Sequence, residues 1–155
     1  MKPTRRGMRR AAVAMSATLA LGIAACGDDD SSDSTVAEGP SAATVDVTAV
    51  EYEFDLSATP TADTETVTFT NDGKEAHALV FARLGEGYTV DEAYELEGKK
   101  GSAEEVGTVD AAPGETATLK VKEPLTAGDY VMLCPIGGPD GPHYKLGQLE
   151  EFAIE

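Results

Sequence analysis

Residues 66–84 read Thr-Val-Thr-Phe-Thr-Asn-Asp-Gly-Lys-Glu-Ala-His-Ala-Leu-Val-Phe-Ala-Arg-Leu. Val67 and Phe69 alternate with threonines, the two-residue period of a strand with one buried face. Asn71-Asp72-Gly73 is turn sequence, and His77 to Leu84 reads as a second strand, so the stretch predicts a hairpin-like unit. Upstream, Val45, Val47 and Ala49 alternate, then Val50, Tyr52, Phe54 and Leu56 continue in the opposite phase. That phase change predicts a bulge near Ala49, within one strand or between two short ones. Downstream, Thr89 to Leu96 has a polar start and helical spacing of Val90, Ala93 and Tyr94, which predicts a short helix. Glu97 to Gly107 reads as a loop. Pro113-Gly114 introduces an alternating strand over Thr116 to Val121, Ala127-Gly128 turns the chain into a strand over Asp129 to Cys134, and Gln148 to Ile154 closes the domain. Many short strands punctuated by Gly and Pro predict an all-β antiparallel Greek-key β-sandwich with one short helix in an inserted loop.

The chain has 155 residues, enough for one domain, with 12 Lys+Arg against 28 Asp+Glu and a formal charge of −16. This excludes a strongly basic nucleic-acid binder. The charge is uneven: Lys2, Arg5, Arg6, Arg9 and Arg10 precede the apolar run Ala11 to Ala25, which is short for a membrane-spanning helix and suits an export signal. Its end, Leu21-Gly22-Ile23-Ala24-Ala25-Cys26, resembles a bacterial lipoprotein signal, implying cleavage before Cys26 and lipidation of that residue. Thr4-Arg5-Arg6 hints at twin-arginine export and leaves the route open. Gly27 to Thr44 is acidic and then rich in small residues, with little apolar surface to bury, as in a flexible tether. The expected organisation is a signal peptide over 1–25, lipidated Cys26 and linker over 26–44, and a folded domain over 45–155.

Chemistry concentrates in scarce residues, because there are only two His and two Cys. With Cys26 lipidated, Cys134 stands alone, and an unpaired thiol in an oxidising compartment needs deep burial or a metal. His77 opens a strand after a turn. His143 follows Cys134 after a loop containing Gly137, Gly138, Pro139, Gly141 and Pro142, which can fold back on itself. A thiolate and two imidazoles suit a copper electron carrier, and the same donors could also satisfy zinc. Met132, two residues before Cys134, is expected in the core. Asp72, Glu75, Glu104 and Glu105 form no carboxylate dyad with a histidine, and no phosphate-cradling glycine motif is present, so no enzyme constellation emerges.

Three segments resemble the cupredoxin family of blue copper proteins, which includes plastocyanin, azurin and halocyanin. They are Asn71-Asp72-Gly73-Lys74-Glu75-Ala76-His77-Ala78-Leu79-Val80-Phe81, Tyr130-Val131-Met132-Leu133-Cys134, and Pro142-His143-Tyr144-Lys145-Leu146-Gly147-Gln148. The resemblance spans most of Val45 to Glu155 and implies one type I copper held by His77, Cys134 and His143. The axial position, usually Met, is Gln148 here, as in the stellacyanin-like branch, and the loop between Cys134 and His143 is longer than in plastocyanin. The implied function is one-electron transfer by a monomer, lipid-anchored outside the cytoplasm. The alternative is copper storage or delivery, or a metal-free binding lipoprotein of the same fold. Redox partner proteins with a basic docking surface are expected. In the resembled family the second histidine lies near the surface, which implies an apolar patch of Ile136, Pro139, Pro142 and Leu146 around His143.

Overall fold

The computed structural model describes residues 43–155. The expected signal peptide, Cys26 and nearly all of the expected linker lie outside them. Strands β1 (Thr44–Val50), β2 (Glu53–Leu56), β3 (Thr66–Asn71) and β6 (Thr116–Lys120) form one sheet in the order β2-β1-β3-β6. Strands β4 (His77–Leu84), β5 (Ala103–Ala111), β7 (Gly128–Leu133) and β10 (Leu149–Ile154) form the second, in the order β10-β7-β4-β5. The domain is an all-β sandwich. Val45, Val47, Phe54, Val67 and Phe69 from the first sheet bury their side chains with Leu79, Phe81, Tyr130 and Met132 from the second. Met132 is a core residue, fully buried, as its strand phase predicts.

The phase change after Ala49 is a turn between β1 and β2, which pair antiparallel with Val47 opposite Leu56. One pair departs from the antiparallel expectation: β1 and β3 run parallel, Val45 opposite Val67. The connection after β2 carries the chain back to the starting end of β1, where the amides of Glu65 and Thr66 both donate to the Ala43 carbonyl.

Nor do β3 and β4 form a hairpin. β3 pairs with β1 and β6 while β4 pairs with β5 and β7, so the Asn71–Gly73 turn crosses between sheets. Asn71 makes that crossing possible. Fully buried, it donates from Nδ2 to the carbonyls of Glu75 (2.8 Å) and Ala111 (2.9 Å), and its Oδ1 accepts from the Gly73 amide (2.9 Å). These bonds satisfy backbone groups that the break in sheet pairing leaves without partners.

From Ala103 onward the expected loop over 97–107 is β5, which pairs with β4 at the edge of the second sheet. Phe81 faces Gly107 and Ala82 faces Glu105, so Val106 bulges out of register. Charged, exposed Glu104 and Glu105 break the alternation that would announce a strand, a common device at sheet edges. Helix α1 (Val90–Glu95) forms where the sequence places it. The Thr89 hydroxyl accepts from the Glu92 amide while the Glu92 carboxylate accepts from the Thr89 amide, a capping box. Val90 and Ala93 pack on Ala82, Leu84, Val131 and Leu133, so β4 and β7 are covered on both faces. This explains the near-continuous apolar run at His77 to Leu84.

Candidate metal centre

Four chain segments meet at one end of the sandwich. His77 is the first residue of β4, and Cys134 directly follows β7, which lies beside β4. The Ala78 amide donates to Cys134 Sγ at 3.4 Å. Beyond Cys134 the loop folds back as a two-residue ribbon, β8 (Gly137–Gly138) on β9 (Gly141–Pro142). It ends in the helical turn α2 (His143–Leu146). The His143 amide donates to the Ile136 carbonyl and the Tyr144 amide to the Cys134 carbonyl, pinning His143 beside the cysteine. Gly147 at φ 124° then turns the chain into Gln148, in a conformation that side chains resist. The Cys134 amide donates to the Gln148 carbonyl, tying the fourth residue to the second.

The donor atoms converge. His143 Nδ1 lies 3.3 Å from His77 Nδ1 and 3.6 Å from Cys134 Sγ, and the three candidate donors all fall within 4.8 Å of one another. Metal–nitrogen and metal–thiolate bonds of roughly 2.0–2.3 Å would place trigonal donors about 3.5–4 Å apart. The cluster matches that spacing with little adjustment. All three residues are essentially inaccessible to solvent. Burial pushes the Cys134 thiol up, opposed by the amides of Ala78 and Ile136, so a thiolate at this depth needs a cation beside it. Burial, and then the neighbouring His143, hold His77 below the ordinary imidazole value, with Gln148, Glu51 and Glu75 acting in the opposite sense. A neutral His77 presents a nitrogen lone pair.

Gln148 is fully buried, and its Nε2 donates to the Val50 carbonyl at 2.9 Å. Its Oε1 has no hydrogen-bond partner among the described residues. A buried amide oxygen without a donor is costly, and one at a metal-donor cluster is suited to serve as a weak fourth ligand.

The outer edges of both imidazoles are covered by residues outside the expected ligand set. His143 Nε2 is 3.4 Å from Glu75 Oε2, and His77 Nε2 is 3.8 Å from Glu51 Oε1. The Tyr52 ring packs on His143 with centroids 4.8 Å apart. His143 is therefore not the surface residue its family resemblance implies. Of the patch expected around it, Pro139 and Leu146 are exposed, while Ile136 and Pro142 are half-buried. A signal for Glu75 was its position two residues before His77; Glu51 and Tyr52 come from a distant turn that nothing local connects to the site.

Among solved structures, the chain is similar to the dithionite-reduced auracyanin of Roseiflexus castenholzii, with 24% identity, TM-score 0.53, and coverage of 73% of this chain and 97% of that one. It is also similar to auracyanin A, a "blue" copper protein of Chloroflexus aurantiacus, with 20% identity, TM-score 0.52, and coverage of 72% and 98%. The domain has the cupredoxin fold. No protein-family model matches this cupredoxin-fold chain, and no curated protein does. At these identities the likeness extends to the architecture alone.

Proposed function

We propose that the domain is a one-electron carrier with a single type I copper, held by His77 Nδ1, Cys134 Sγ and His143 Nδ1 and completed by Gln148 Oε1. The observation that carries this reading is the buried convergence of two imidazole nitrogens and one thiol with edges of 3.3 and 3.6 Å. Two imidazoles, one thiolate and a weak axial oxygen form a blue-copper donor set, whereas structural zinc takes four strong nitrogen, sulfur or carboxylate donors. That auracyanin A is a "blue" copper protein of the same fold supports the choice.

Copper bound there would supply a one-electron couple. The chain contributes rigidity, placing one donor at the start of β4, one at the end of β7, and two on a loop tied back to β7 by backbone hydrogen bonds. Ligands fixed in this way move little when the charge of the site changes, which favours rapid exchange. Burial of all four residues excludes water from the donors.

The same reading places the carrier outside the cytoplasm, tethered through Cys26 and the linker up to Thr44, where its acidic surface would steer a basic redox partner. Storage or delivery of copper is the competing use of these donors. Repeated oxidation and reduction of the copper-loaded protein separates the two. A carrier retains its copper and spectrum through many cycles, whereas a delivery protein surrenders the ion to a chelator in one oxidation state.

A further inference from the structure

We infer that Glu51 and Glu75 are positioning residues for the copper imidazoles, holding the ring protons on Nε2 and favouring the more positively charged oxidation state. This inference rests on the copper reading above.

For both Nδ1 atoms to donate, both rings must carry their proton on Nε2, and the partner of the outer nitrogen normally fixes that tautomer. Here each outer nitrogen faces a carboxylate: Glu75 at 3.4 Å from His143, Glu51 at 3.8 Å from His77. His77 Nε2 is buried and has no hydrogen-bond partner among the described residues, so the Glu51 charge acts on it without competition from one. Neither acid is a freely rotating surface group. Glu51 Oε1 accepts from the amides of Lys74 and Glu75, the latter at 2.9 Å. Asn71 Nδ2 grips the Glu75 carbonyl at 2.8 Å, so the Glu75 main chain is fixed from both sides. The Tyr52 hydroxyl, its ring against His143, donates to Glu75 Oε2 at 3.5 Å. The two carboxylates thus form one connected unit spanning the β1–β2 turn and the β3–β4 crossing. Their charge stabilises the oxidised site more than the reduced one, because the oxidised site carries one more positive charge.

The test uses the mature protein and the variants Glu75→Gln, Glu51→Gln and Glu123→Gln. Glu123 is an exposed acid between β6 and β7, and serves as the control. Glu75→Gln keeps the backbone anchor and the side-chain shape while removing the charge, so it reports even if Glu51→Gln unravels the crossing. In the copper-loaded protein it should shift the oxidised-to-reduced preference by about tenfold, a rise of about 59 mV for one electron, with unchanged copper stoichiometry. In the metal-free protein, nitrogen NMR should show His143 protonated on Nε2 in the native chain and mixed between tautomers in Glu75→Gln. A potential that moves no more than in Glu123→Gln, or an unaltered His143 tautomer, would overturn the assignment. Failure of the copper reading is separately visible, as native protein that forms no coloured complex, and the metal-free tautomer measurement then decides the role of Glu75 alone.

Discussion

Replacing Gln148 by Met probes the axial position through two independent quantities. The side chain is fully buried, its Nε2 holds the Val50 carbonyl at 2.9 Å, and its Oε1 has no partner among the described residues. In the metal-free protein the substitution strips the Val50 carbonyl of its donor, a cost of about 1–3 kcal/mol, but also removes the orphaned oxygen, which offsets part of that cost. The net loss should be about 1 kcal/mol, or roughly 4–8 °C in Tm for a domain of this size. In the copper-loaded protein a hard carbonyl oxygen is exchanged for a soft thioether, which favours Cu(I) and raises the potential by about 59 mV for each tenfold change in relative affinity. Thermal melts of the metal-free pair and redox titrations of the loaded pair, in one buffer, read the two effects separately. Equal potentials alongside a lowered Tm would show that Gln148 only braces the Val50 turn, and the axial assignment would fail.

Asn71→Ala removes three hydrogen bonds at the β3–β4 crossing, the one to Ala111 fully buried. It should lower stability by about 2–4 kcal/mol in urea melts and weaken copper binding through His77. Leu146, exposed beside the copper loop, should tolerate Leu146→Glu with copper retained, while stopped-flow electron exchange with a redox protein slows; unchanged exchange would place the route elsewhere. The Glu92 carboxyl lies below the usual carboxylate range because the Thr89 amide and hydroxyl donate to it. A depressed folded value means that this contribution is complete above the ordinary carboxylate pKa and is lost as pH falls through the lowered one. Amide protection factors across Val90–Glu95, each taken against the intrinsic exchange rate at the same pH, should therefore fall on acidification, and Glu92→Gln should flatten that dependence. Cys26→Ala should release the protein from the membrane fraction, and undiminished retention would exclude the lipid anchor.

Much of the sandwich was legible because its strands bury one face and expose the other: Val67 and Phe69 alternate with threonines that point outward. The chemistry was legible because His and Cys are so rare that His77, Cys134 and His143 had few alternatives. The partners of the strands were not legible. Asn71-Asp72-Gly73 reads as a hairpin turn, but whether a turn folds a sheet on itself or leaps to another depends on the buried Asn71 side chain finding Ala111 far along the chain. The parallel pairing of β1 with β3 likewise follows from the path of a connection that has no periodicity. Strand β5 was hidden by the charges an exposed edge requires, and Glu51 reached the site only through tertiary folding, from a turn whose local sequence says nothing of histidine.

Binding of copper by His77, Cys134 and His143 through a thiolate bond would be visible at once in the spectrum during Cu(II) titration. The native protein should develop an intense thiolate-to-copper band that saturates at one equivalent, and Cys134→Ser should bind without that band or not at all. A colourless native titration, or an equally intense band in Cys134→Ser, would rule out a copper–thiolate centre at Cys134.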